Sequence, residues 1–293
     1  MTIVIQRLLD VLSVGSTYAL LALGLTLVYS VMNLINFAYG MMLVWSAFVA
    51  VVLVNAGVPT PLVLVTCVVF SALLSVAVGR VAFRPFLTAP PVTLLITSFG
   101  VELVLQYVAL VIFGENPRIL KVPTYLSQVY HVGGVRIPNS ELTTIVTALI
   151  VVGGLYLVLN RTRFGIRIRA AAEQPEIARL MGISPGLILI AVFAISGAIA
   201  GVVGLLWFAQ VGAITPRSDL DPTFKAFVAI VLGGLGNARG AVVGGLALGA
   251  IEVLLSAVLP DAALGYSDAI VFGSVIAILL WRPTGLVGVS TSL

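Results

Sequence analysis

The chain has 293 residues, 60% of them hydrophobic and 9% charged, with a mean hydropathy of +1.20. That balance excludes a soluble domain built around one core and predicts an all-α, polytopic membrane protein, one membrane domain over 1–293. The net charge of +4 does not point to nucleic acid, because the cations gather at the ends of apolar runs as the positive-inside bias places them.

Runs long enough to cross about 30 Å of hydrocarbon occupy 11–32, 40–57, 61–79, 92–113, 142–159, 186–208, 241–259 and 266–281. A ninth, Phe224 to Leu235, is short: its helix would cover about 18 Å, so it is a shortened, tilted, broken or re-entrant segment. The count is therefore about eight or nine transmembrane helices. The first run exceeds the apolar core of a secretory signal, about 7 to 15 residues, and is expected to remain in the mature protein.

In chain order, the first interruption is Asn33 to Gly40. Asn33, Asn36 and Tyr39 place polar groups there, either lining a solute path beside a discontinuous helix or sitting in an interfacial turn. Cys67 has no partner cysteine and reads as a small buried residue. Arg80 and Arg84 close the third run and mark a cytoplasmic end. Glu102 lies inside the fourth run and Glu252 inside the seventh. Intramembrane carboxyl groups are functional candidates; each pairs with the other, with a polar neighbour such as Gln106 or with a partner chain, or is a structural Glu, protonated or facing an interface.

Residues 114–141 form an external loop carrying His131, the single histidine of the chain. With no histidine cluster, no Cys-x-x-Cys and no Glu-x-x-His, neither a metal site nor a catalytic constellation can be assembled, and no cofactor is expected. Gly212 to Pro222, with Asp219 and Asp221, is external, and Trp207 and Lys225 read as interface anchors. Glycines 197 and 201, and then 236, 240, 244, 245 and 249, recur at four-residue spacing and predict close helix packing, while Gly233, Gly234 and Gly236 read alternatively as a flexible break.

The charged interruption at 161–184 is the most organised non-membrane segment. Gly165 to Ala172 predicts a helix with Ile166 and Ala170 on one face, and the residue before Pro175 resists the helical region, so a second helix starts at Pro175. Glu176 suits its positive end, Ile177, Leu180 and Met181 form its apolar side, and Gly182 suits a left-handed stop. Ser184 then caps the next span, with Pro185 at its first position.

Glu176-Ile-Ala-Arg-Leu-Met-Gly182 resembles the Glu-Ala-Ala-x-x-x-Gly loop of ABC importer permeases, with Ile177 replacing the first alanine. The longer stretch FGIRIRAAAEQPEIARLMGIS, preceded by NLINFAYG and followed by FKAFVAIVLGGLGNARGAVVGG, resembles the branched-chain amino-acid permeases of LivH type along nearly the whole chain. The resemblance implies an ABC importer permease fold and an ATPase-coupling segment made of Glu173, Pro175, Glu176, Ile177, Ala178, Arg179, Leu180, Met181 and Gly182. It implies as partners a second related permease, two cytoplasmic ATPase subunits, a periplasmic substrate-binding protein and the lipid bilayer, in the bacterial inner (plasma) membrane. The implied cargo is branched-chain or other small hydrophobic amino acids, with urea or short-chain amides as the alternative. The chain is expected to be no enzyme: it lacks the Gly-x-x-x-x-Gly-Lys-Ser/Thr phosphate loop, since GGLGNARG has neither the lysine nor the hydroxyl, and ATP falls to separate subunits. A different class remains open on the residues alone, an ion-coupled secondary transporter using Glu102 or Glu252.

Overall fold

The computed structural model describes residues 2–86, 89–121, 123, 126–132, 134–173, 175–260 and 265–287, with only the backbone described at 2, 3, 132, 173, 175 and 176. Among these residues lie helices α1 (Thr2–Met32), α2 (Tyr39–Asn55), α3 (Thr60–Val78), α4 (Pro91–Phe113), α5 (Asn139–Arg161), α6 (Arg163–Glu173), α7 (Pro175–Leu180), α8 (Pro185–Val211), α9 (Leu220–Gly233), α10 (Ala238–Val258) and α11 (Ser267–Trp281). Six described helices are long and apolar enough to cross a membrane, and α2 and α11 are shorter apolar helices. The eight long apolar runs of the sequence all become helices, because hydrocarbon leaves backbone polar groups no partner except one another.

Two elements differ from their apolar runs. Helix α1 starts at Thr2, not at residue 11, since Gln6 donates to Asp10 at 3.1 Å and Arg7 pairs with Asp10 at 3.9 Å, extending it past the apolar stretch. Helix α9 has 14 residues and covers about 21 Å, too short to span the bilayer alone. It stops where Gly234 and Gly236 take positive φ, so these two glycines form a break, and Gly236 does not take part in helix packing.

The chain divides into two compact units. The first comprises Met1–Thr26, Val122–Ile150 and Phe224–Leu293. Here α10 lies against α1 through glycines: a Cβ at Gly249 would sit 2.5 Å from the Gly15 backbone, and one at Gly245 would collide with Ala19. Gly240 and Gly244 meet Gly233 and Ala229 of α9 in the same way. The later part of the 114–141 loop is ordered as a hairpin of β1 (Val129–Val132) and β2 (Val135–Pro138), turned at Gly134 and pairing Tyr130 with Ile137.

The second unit comprises Leu27–Lys121 and Val151–Thr223. Its centre is α8 packed on α2 and α3. Gly197 faces the Ser71 carbonyl, Gly201 faces Val68 and Gly204 faces the Leu43 carbonyl, each too close for a Cβ. Ser46 donates to the Gly201 carbonyl at 2.9 Å and Ser71 to the Met42 carbonyl at 3.3 Å, so polar groups in this apolar core close onto backbone acceptors. Cys67 is fully buried among them. Outward-facing Val111 and Leu73 are exposed, as an apolar surface awaiting lipid requires.

Candidate functional site

The segment after α5 folds as two short helices, as its Pro and Gly punctuation requires. In α6 the packed face is Gly165, Ile168 and Ala171, whereas Ile166, on the face it shares with Ala170, is 57% exposed. The cause is Gly165, whose missing side chain lets α6 fold back against the Leu159 carbonyl, which also accepts from the Arg169 guanidinium. Helix α7 ends in a Schellman motif: Gly182 has φ +78°, its N–H donates to the Arg179 carbonyl at 3.0 Å, and the Ile183 N–H donates to the Ala178 carbonyl at 2.9 Å. Ala178 is buried, while Leu180 and Met181 are 86% and 78% exposed. The helix therefore rests on its one small residue and presents its large apolar ones outward, with Ile177 also exposed and Arg179 alongside. The backbones of Glu173, Pro175 and Glu176 are helical, but their side chains lie outside the described residues, as does Gln174. Ser184 stands at the cap position of α8 without a side-chain cap bond, so Pro185 alone preorganises that start.

In the first unit, Lys225 of α9 is buried in a closed polar network. Its ammonium lies 3.0 Å from Glu252 Oε1, 3.0 Å from the Tyr18 hydroxyl and 3.9 Å from Asp268, and the Tyr18 hydroxyl donates to Glu252 Oε2 at 2.5 Å. Lys225 is thus no interface anchor, because its charge is neutralised inside the unit. Trp207 is buried within α8 as well, again in contrast to an anchor at a membrane rim. With both its oxygens engaged, Glu252 takes its partners from α1 and α9.

The second unit gathers a different set of polar groups. Asn33 adopts φ +51°, a left-handed turn that ends α1, and is exposed. Asn36 and Tyr39 are buried, and neither the Asn36 Oδ1 nor the Tyr39 hydroxyl finds a partner. The Phe37 N–H donates to Ser98 Oγ at 2.7 Å and the Phe37 ring stacks on Phe99 at 4.4 Å, which seats the break on α4. One turn further along α4 is Glu102, whose carboxyl faces Asp219, with Gln106 alongside. Asp219, just before α9, is 1% exposed and its Oδ1 has no partner; burial pushes its carboxyl above the usual aspartate range.

Apolar spans, a short half-helix, a broken helix start lined by buried polar groups and an exposed amphipathic loop together define a multi-pass solute permease. Comparison with known proteins gives the family: the chain belongs to the branched-chain amino acid transport system / permease component family, whose model matches residues 7–280. It is 36% identical to the high-affinity branched-chain amino acid transport system permease protein BraD of Pseudomonas aeruginosa, over 97% of this chain and 95% of that protein. It is 33% identical to the corresponding LivH protein of Escherichia coli over the same shares. It is also 32% identical to a probable branched-chain amino acid transport permease protein LivH of Methanocaldococcus jannaschii, over 92% and 88%. No solved structure gives a significant match.

Sequence reasoning singled out Asn36, Tyr39, Glu102 and Glu252 but missed three of their neighbours as site residues. Tyr18 and Ser98 lie within apolar runs where a hydroxyl is unremarked, and Asp219 was assigned to an external segment because nothing local shows that it is buried. The Asp219-Leu220-Asp221-Pro222 sequence does carry the signature of a helix start, which was the available signal.

Proposed function

We propose that the chain is the membrane-spanning subunit of an ATP-driven importer of the cell's inner membrane, carrying branched-chain amino acids delivered by a periplasmic binding protein. It pairs with a second permease and with two cytoplasmic ATPase subunits that bind the ATP, and it has no cofactor and no ATPase activity of its own. The single observation that supports this most is α7. A six-residue helix held by Ala178 and closed by Gly182 shows Leu180 and Met181 to solvent, which is unfavourable unless a partner covers them. In this reading closure of the ATPase pair pushes α7, and the short α6–α7 unit passes the movement to α8, against which both helices pack.

The test is uptake of labelled leucine into proteoliposomes holding the full assembly, with ATP hydrolysis measured in parallel. Leu180→Asp places a charge in the covered face and is expected to lower leucine uptake at least about tenfold, the effect of about 1.4 kcal/mol at an interface, while the chain still inserts. Uptake that proceeds without ATP, or that is indifferent to Leu180→Asp, would sink the reading.

A further inference from the structure

The polar groups that coupling leaves unused lie together in the second unit. Asn36 Oδ1, the Tyr39 hydroxyl and Asp219 Oδ1 are all buried and all without a protein partner. Native interiors rarely leave such groups orphaned, so three in one unit call for a ligand that supplies donors. Their placement is tied by contacts. The break carrying Asn36 is bonded to Ser98, one turn from Glu102. Gly40, next to Tyr39, lies so close to Thr223 and to the Asp219 carbonyl, 2.6 Å from where its Cβ would be, that no side chain fits there. Asp219 in turn faces Glu102 and Gln106. The starts of α2 and α9 and the middle of α4 thus converge.

The chemistry of the group is that of a cation acceptor beside an anion acceptor. Two carboxyl groups, an amide oxygen and a phenol oxygen suit an ammonium with its three N–H donors. The start of α2 has no side-chain cap; its first N–H, that of Tyr39, donates to the Asn36 carbonyl at 3.1 Å, and the backbone N–H groups that follow it suit a carboxylate. Unlike the Lys225 network, where an ammonium lies beside the carboxyl groups, this cluster brings carboxyl groups together with no described cation among them.

The geometry points to a cargo site for an α-amino acid zwitterion, its ammonium held by Asp219 and Glu102 with Asn36 and Tyr39 as further acceptors, and its carboxylate at the uncapped start of α2. This rests on the amino-acid cargo proposed above. The bland alternative, a carboxyl pair sharing one proton for structural reasons, leaves Asn36 and Tyr39 unexplained.

The experiment measures the melting temperature of the purified full assembly, without binding protein, against increasing leucine or 4-methylpentanoate, which lacks the amino group. Leucine uptake into proteoliposomes is measured alongside. Leucine is expected to raise the melting temperature of the wild type and 4-methylpentanoate to leave it unchanged. Asp219→Asn abolishes the leucine shift. Tyr39→Phe needs about tenfold more leucine for the same shift, the effect of losing one hydrogen bond to a charged group, while its unliganded melting temperature holds or rises because a buried orphan is gone. That combination separates a ligand role from a structural one, and it stands even where Asp219→Asn fails to assemble. Equal shifts from both compounds, or undiminished leucine shifts in both variants, overturn the site while wild-type leucine uptake keeps the cargo reading. A wild type that neither shifts with leucine nor takes it up overturns both.

Discussion

Replacing Lys225 with methionine keeps the apolar stem and deletes the ammonium from the Tyr18, Glu252 and Asp268 network. Glu252 then retains the 2.5 Å bond from Tyr18 but loses a counter-charge 3.0 Å away, in a side chain only 26% exposed. Removing one member of a buried pair costs about 3–5 kcal/mol, and the partial exposure of Glu252 places this case near about 3. At about 2–4 °C per kcal/mol for a protein of this size, the melting temperature falls by about 6–12 °C. The assay is a thermal melt followed by size-exclusion chromatography of the detergent-solubilised protein. The double substitution Lys225→Met with Glu252→Leu removes the stranded charge and recovers at least half of the loss. A single variant melting within about 2 °C of wild type, or a double variant worse than the sum of its parts, would refute the network as a structural ion pair.

Two other outcomes follow from packing and protonation. Gly245→Ala puts a Cβ into the Ala19 backbone, where no flexible side chain gives way, and is expected to destabilise the α1–α10 contact by about 1–3 kcal/mol; Gly273→Ala, in open space, gains helix propensity of up to about 1 kcal/mol. Equal melting temperatures for the two variants would contradict the close approach. Burial holds the Asp219 carboxyl above its ordinary range, so the folded state binds this proton more tightly than the unfolded chain. Well below the unfolded aspartate value of about 3.9 both states are protonated and the residue is neutral to stability; as pH rises through the unfolded value toward the raised folded one, stability is lost. Asp219→Asn removes that loss, so without cargo its melting advantage over wild type grows as pH rises above the ordinary aspartate range, and a flat difference would show that Asp219 is not buried as described.

Much of this protein is written locally. Eight apolar runs became helices because a chain in hydrocarbon has to satisfy its own backbone, and the Pro175 start and Gly182 stop of α7 follow from fixed φ and from the left-handed turn that glycine tolerates. The family was legible in the same way, from three motifs in order along the chain. What the sequence left open was pairing. Whether Glu252 meets Lys225, whether Asp219 is buried, and which face of α6 packs depend on residues far apart in the chain, brought together by glycines whose roles only the neighbouring helix reveals. Periodicity fixes which residues of one helix share a face. The choice of the opposing face is made by close packing between helices, and that step placed the carboxyl groups in two distinct environments, one paired with Lys225 and one left with orphaned acceptors.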